Sequence, residues 1–167
     1  MKLRLLLFEE CDRSCAGCCN RQWALESLPG CAEWDGYEEI ILTGGEPMLR
    51  PDYVKGVIDA IRVQVDTPIY MYTAKTSNPL AVLEILEMIQ GITVTLHEQT
   101  DVGNFCWLLA CIKRADVRDK SLRLNVFSGV NVNGFDLSGW KVKDNIEWIP
   151  DCPLPKDEQF MRLIPTS

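Results

Sequence analysis

The chain of 167 residues contains a single histidine, His97, and no P-loop, no Ser/His/Asp arrangement and no paired carboxylates at a catalytic spacing. These absences set aside phosphate-cradling, triad and glycosidase-type chemistries. Apolar runs fall far short of the roughly 18 to 20 residues needed for a membrane span, so no membrane association is expected. Positive charge is also scarce. The 17 Lys and Arg stand against 24 Asp and Glu, a net charge of −7 that repels a phosphate backbone and argues against a nucleic-acid partner. Lys2 to Phe8 has no small-residue cleavage site, so it does not read as a signal peptide, and the cytoplasm is the expected compartment. There is no internal repeat or low-complexity segment. Composition is otherwise ordinary, 47% hydrophobic and 25% charged, and the length suits one domain.

What stands out is cysteine. Eight are present, with Cys11, Cys15, Cys18, Cys19 and Cys31 crowded into the first fifth and Cys106, Cys111 and Cys152 scattered. In a reducing compartment, metal ligation or catalysis explains such a cluster better than disulfides do.

The apolar pattern predicts strands at Leu3 to Phe8, Glu39 to Thr43, Ile69 to Thr73, Ile92 to His97 and Leu122 to Phe127, with a sixth at Ile146 to Ile149. Helices are predicted from Pro51 through Ile61, from Pro79 to a stop at Gly91 with Ser77 or Asn78 as the cap, and over Asp101 to Arg114. Asn20 to Leu28 reads as a short helix and Asn131 to Gly139 as a loop. Alternating strands and helices imply parallel βαβ units. A closed barrel of eight units takes about 250 residues, so an open, partial parallel βα barrel of five to six units is expected. Residues 1–149 would form this domain, and 150–167, with four prolines by Pro165, an extended C-terminal tail. In such folds the site lies at the carboxyl ends of strands, where Cys11, Gly44, Thr73, His97 and Phe127 should emerge.

Cys11, Cys15 and Cys18 form C-x3-C-x2-C directly after the first strand. Three thiolates on one loop suit a polynuclear iron–sulfur centre with one iron left open to a ligand. The alternative is a structural zinc site, completed by Cys31 or His97, in a binding module without catalysis. Cys19, next to Cys18, should diverge and not ligate. Cys31, Cys106, Cys111 and Cys152 read as small packed hydrophobes. After the second strand comes Gly44-Gly45-Glu46-Pro47, where adjacent glycines let backbone approach a ligand. Both loops should open on the same sheet edge.

Together the two motifs resemble the radical S-adenosylmethionine (SAM) superfamily. The resemblance implies that Cys11, Cys15 and Cys18 hold a 4Fe-4S cluster, that SAM chelates the fourth iron, and that Gly44, Gly45, Glu46 and Pro47 contact its methionine amino group. It implies an oxidoreductase that cleaves SAM reductively to a 5′-deoxyadenosyl radical, with a flavodoxin- or ferredoxin-type electron donor. Most members of the superfamily place an aromatic residue before the third cysteine, where this chain has Gly17. Gly17-Cys18-Cys19-Asn20 with Trp23 is similar instead to the activating proteins of anaerobic ribonucleotide reductase. On that reading the partner is a large glycyl radical enzyme and the target hydrogen lies on a glycine Cα. Trp148 to Ser167 matches no pattern of those activases. The other expectation within the class is a radical enzyme modifying a small molecule or peptide, resembling the 7-carboxy-7-deazaguanine synthases. The chain is too short to enclose a substrate, so a partner or a homodimer should supply the missing wall.

His97, Thr73 and Asn125 lie near strand ends and are candidates for the SAM site, although each also suits a packed or hydrogen-bonded position. Phe105 and Trp107 read as core. Asp35, Glu38 and Glu39 read as solvated surface, and Glu9 and Glu10 as shaping the cysteine loop.

Overall fold

The computed structural model describes residues 1–164; Pro165, within the expected tail, lies outside the described residues. The strands are β1 (Lys2–Leu6), β2 (Gly30–Cys31), β3 (Glu39–Thr43), β4 (Ile69–Thr73), β5 (Gly91–Leu96), β6 (Ser121–Phe127), β7 (Trp140–Ile146) and β8 (Glu158–Leu163), and the helices α1 (Pro51–Gln64), α2 (Pro79–Met88) and α3 (Asp101–Ile112). They form one sheet in the order β2-β8-β1-β3-β4-β5-β6-β7. Every strand pairing is parallel, and the sheet is open, with β2 and β7 at its edges.

From β3 to β6 the chain steps one way across the sheet through α1, α2 and α3, so right-handed crossovers put all three helices on one face. The core lies between them. Leu3, Leu5, Ile40, Leu42, Ile69, Met71, Ile92, Val94 and Leu124 project from the strands against Val54, Ile58, Ile61, Ile85, Leu86 and Phe105 of the helices. Pro51 opens α1; Pro79 opens α2, whose cap is Asn78, accepting the Ala81 amide at 3.2 Å.

Several boundaries differ from expectation. Asn20 to Leu28 holds two 3-10 turns, Cys19–Arg21 and Leu25–Ser27, rather than a helix. The strand after β6 is β7 at Trp140–Ile146, at the sheet's edge, not Ile146 to Ile149. Lys141 through Asn145 are all exposed, which left it no apolar run to read. Within the expected tail, Glu158–Leu163 inserts as β8 between β1 and β2, bringing the sheet to eight strands. Phe160 joins Leu6 and Leu25 in a small second core there. Trp107 is on the outer face of α3 and 71% exposed, since Phe105 and Leu108 take the inward positions of that helix.

Candidate functional site

β1 and β3 are adjacent and in register, so the loops that leave their carboxyl ends lie side by side. Three backbone bonds zip them together: Leu7 N–H donates to Thr43 O at 2.9 Å, Gly45 N–H to Phe8 O at 2.8 Å and Glu46 N–H to Glu10 O at 2.8 Å. This closeness requires glycine. A Cβ on Gly45 would lie 1.8 Å from the Glu10 carbonyl oxygen, and one on Gly44 would lie 2.9 Å from that of Phe8. Asn20 adds a further tie, its side-chain amide donating to Gly44 O at 2.7 Å.

Glu46 is 2% exposed and turned inward. It accepts from Met48 N–H at 2.9 Å, Thr73 Oγ1 at 2.6 Å and Ala74 N–H at 2.9 Å. Burial pushes its carboxyl up, against the three hydrogen bonds, which favour the charged form. Glu46 is therefore the fastener between the Gly-Gly turn and the end of β4. Thr73, buried at that strand end, is spent on holding it.

The cysteine loop is fixed from the other side by Arg13. Its guanidinium makes two bonds to Asp101, at 2.6 and 2.9 Å. Asp101 in turn accepts the His97 and Glu98 amides at 2.8 and 3.0 Å, at the start of α3. Burial raises the Asp101 carboxyl, but Arg13 and the two amides outweigh it and hold the group below its ordinary value. One ion pair thus joins the loop after β1 to the turn after β5.

Cys11, Cys15 and Cys18 are free thiols, and all three line one cavity of about 220 Å³ with Gly44, Gly45 and His97. Burial pushes the Cys11 thiol up from its ordinary value. Glu46 also borders this space, while Pro47 and Thr73 border a smaller neighbour of about 130 Å³ that shares Gly45 and His97. Asn125 lines neither; it sits in mid-β6, paired in register with Thr95 and Lys143. A single-ion zinc site needs its ligands at one point, and among the described residues no group of three or more Cys, His, Asp or Glu is so placed.

His97 is stacked flat on Trp148, ring centroids 5.2 Å apart and planes 4° from parallel, with Phe127 4.8 Å away. Its Nδ1 is buried without a hydrogen-bond partner. Burial, with the Arg13 charge nearby, lowers its pKa, so the neutral ring is favoured. Trp148 also packs on Gly17, where a Cβ would lie 2.5 Å from the indole. An aromatic ring therefore packs on the residue before Cys18, supplied from the far end of the chain. It escapes a local motif search because the two positions are distant in sequence.

Cys19 and Cys152 form a disulfide, a pairing outside the expectation that the cysteines work as ligands or packed hydrophobes. Trp23 Nε1 donates to Cys152 O at 3.2 Å, so the segment from Trp148 to Cys152 is strapped across the cysteine loop. Cys31 is buried as expected, whereas Cys106 is exposed and Cys111 partly so. Arg13, Asp101 and Trp148 are the site residues the sequence did not flag.

No known protein family matches the chain, and neither does any curated protein. Among the described residues, no helix is long and apolar enough to cross a membrane.

Proposed function

We propose that the chain is a radical SAM enzyme with a partial parallel βα barrel, binding a 4Fe-4S cluster through Cys11, Cys15 and Cys18. The observation that carries this reading is the meeting of three free thiols with the Gly44 to Glu46 turn around one cavity at the carboxyl ends of β1 and β3. A polynuclear centre takes each thiolate on its own iron, so the sulfurs need not meet at a point. When bound, cluster and SAM supply a 5′-deoxyadenosyl radical able to abstract hydrogen; the protein's task is to position them and exclude competing reactions. Gly44 and Gly45 bring backbone within reach of the methionine end of SAM. Glu46 and Thr73 keep that backbone rigid rather than touching the ligand. Arg13 and Asp101 hold the cysteine loop in register with His97, whose neutral ring, with Trp148, lines the same cavity as the glycines.

The partner in this reading is a glycyl radical enzyme of the anaerobic ribonucleotide reductase kind, with a flavodoxin- or ferredoxin-type donor. The support is the open sheet, which among the described residues does not close into a barrel and leaves β2 and β7 with one free edge each.

Anaerobic reconstitution should give about four irons per chain and a broad brown absorbance, lost in Cys15→Ala. Dithionite and SAM should then yield 5′-deoxyadenosine. One zinc and no iron would overturn the cluster, and a full cluster without 5′-deoxyadenosine would overturn the activity. A glycyl electron-paramagnetic signal on a reductase encoded beside the gene tests the partner.

A further inference from the structure

A second charged feature lies outside the cysteine cavity. Register sets Tyr72, Thr93, Arg123 and Lys141 side by side on β4 to β7, with Thr95, Asn125 and Lys143 in the next row. Side chains alternate along strands. Leu122, Leu124 and Val126 of β6 pack under the helices, so Arg123, Lys141 and Lys143 stand on the helix-free face, and all three are exposed. The Arg123 guanidinium lies 5.5 Å from the centre of the Tyr70 ring. None of the three cations has a carboxylate partner among the described residues. The rows begin at Tyr72 and Thr95, which border the cavities of the cysteine loop, and end at the sheet's edge.

Lysines on an edge strand commonly serve only to block aggregation. That accounts for Lys141 and Lys143 but not for Arg123, which lies one strand inside and is laid over a tyrosine. Three like charges in adjacent positions repel one another. In a chain of net charge −7, keeping them together with no ion pair among the described residues points to an anion supplied from outside. The shape of the surface selects the kind of anion. Small-molecule sites are concave and bury most of their ligand, whereas Arg123, Lys141 and Lys143 are exposed toward the sheet's edge. The outer edge of β7 presents unpaired N–H and C=O groups, which only another polypeptide backbone can satisfy in series.

We propose that an extended acidic segment of a partner polypeptide adds to the outer edge of β7. Carboxylates two residues apart on that segment lie over Lys141 and Lys143, and Arg123 guides the chain inward toward Tyr72 and the cysteine cavity. Only the destination rests on the proposed radical SAM activity; the binding needs neither cluster nor SAM.

The test is fluorescence anisotropy with a labelled peptide alternating glutamate and threonine, and a control alternating lysine and threonine, on the full chain at low salt. The acidic peptide should bind and the basic one should not, and the double variant Lys141→Glu/Lys143→Glu should bind at least about tenfold more weakly, with added salt doing the same. A melting curve checks that this variant is folded, and Lys141→Gln/Lys143→Gln gives an intermediate loss. Cys15→Ala should bind the peptide like the wild type, so failure of the cluster chemistry and failure of this surface are read separately. No binding, equal binding of both peptides, or indifference to charge reversal overturns the proposal. Full displacement by free glutamate at matched carboxylate concentration also overturns it, in favour of a small-molecule carboxylate site.

Discussion

Glu46 shows how a residue beside a glycine turn can act by holding the turn still. Its carboxylate serves two backbone amides and the Thr73 hydroxyl inside the protein. Glu46→Ala would leave these donors buried without an acceptor and should cost about 2 to 4 kcal/mol in urea unfolding. Glu46→Gln keeps the volume and one carbonyl and should lose less than half as much; equal losses would mean that the hydrogen bonds do not hold the turn. Asp101 gives a pH signature. Its folded pKa lies below the ordinary value of 3.8, so its contribution is full above that value and is lost as pH falls through the folded one. Thermal melts from pH 6 downward should show the wild type losing stability below about pH 4, and Asp101→Asn, already less stable at neutral pH, losing less over the same window. Parallel curves would remove Asp101 from the account of acid sensitivity.

At the scale of elements, the strap from Trp148 to Cys152 depends on a bridge of sequence separation 133. Chain entropy for a loop of that size gives about 4 to 5 kcal/mol, a ceiling if the reduced chain keeps residual structure. Reductant should therefore lower the urea midpoint of the wild type and leave Cys152→Ser, already low, unchanged. A wild-type midpoint indifferent to reductant would mean the bridge does not form in solution. Disulfide partners are not written in spacing, so this element was illegible from sequence, and so was the aromatic wall it carries to Gly17. Strands β3 to β6 were legible because they bury one face under helices and carry apolar residues there. β7 (WKVKDNI) and β8 (EQFMRL) were not, since one is an exposed edge and the other buries only Phe160 outright. That the glycine turn and Cys11, Cys15 and Cys18 meet at one cavity could be read because each spacing is local and both follow adjacent strands. The Arg13 to Asp101 pair joins positions 88 residues apart and left no such trace.

For the whole molecule, the final segment decides whether the sheet is complete. β8 lies second from the edge, paired with β1 on one side and β2 on the other. Phe160 packs edge-on to Trp23 at 5.5 Å and seals Leu6 and Leu25, and Arg4 of β1 pairs with Glu158 at 2.6 Å. A chain ending at Ile149 would lose these contacts together with Cys152, leaving the backbone edge of β1 and the apolar face around Leu6 open to solvent. Unpaired, apolar edges of this kind recruit other chains. The truncated protein should aggregate, or bind a hydrophobic dye while keeping helical circular dichroism, and on the proposed cluster reading should not retain iron after anaerobic reconstitution, because Trp23 would lose Phe160 and Cys152, and Cys19 its disulfide. A soluble truncation with a cooperative melt and a full iron complement would show instead that β1 and the cysteine loop fold without β8, and that the segment after Pro150 only covers a site already built.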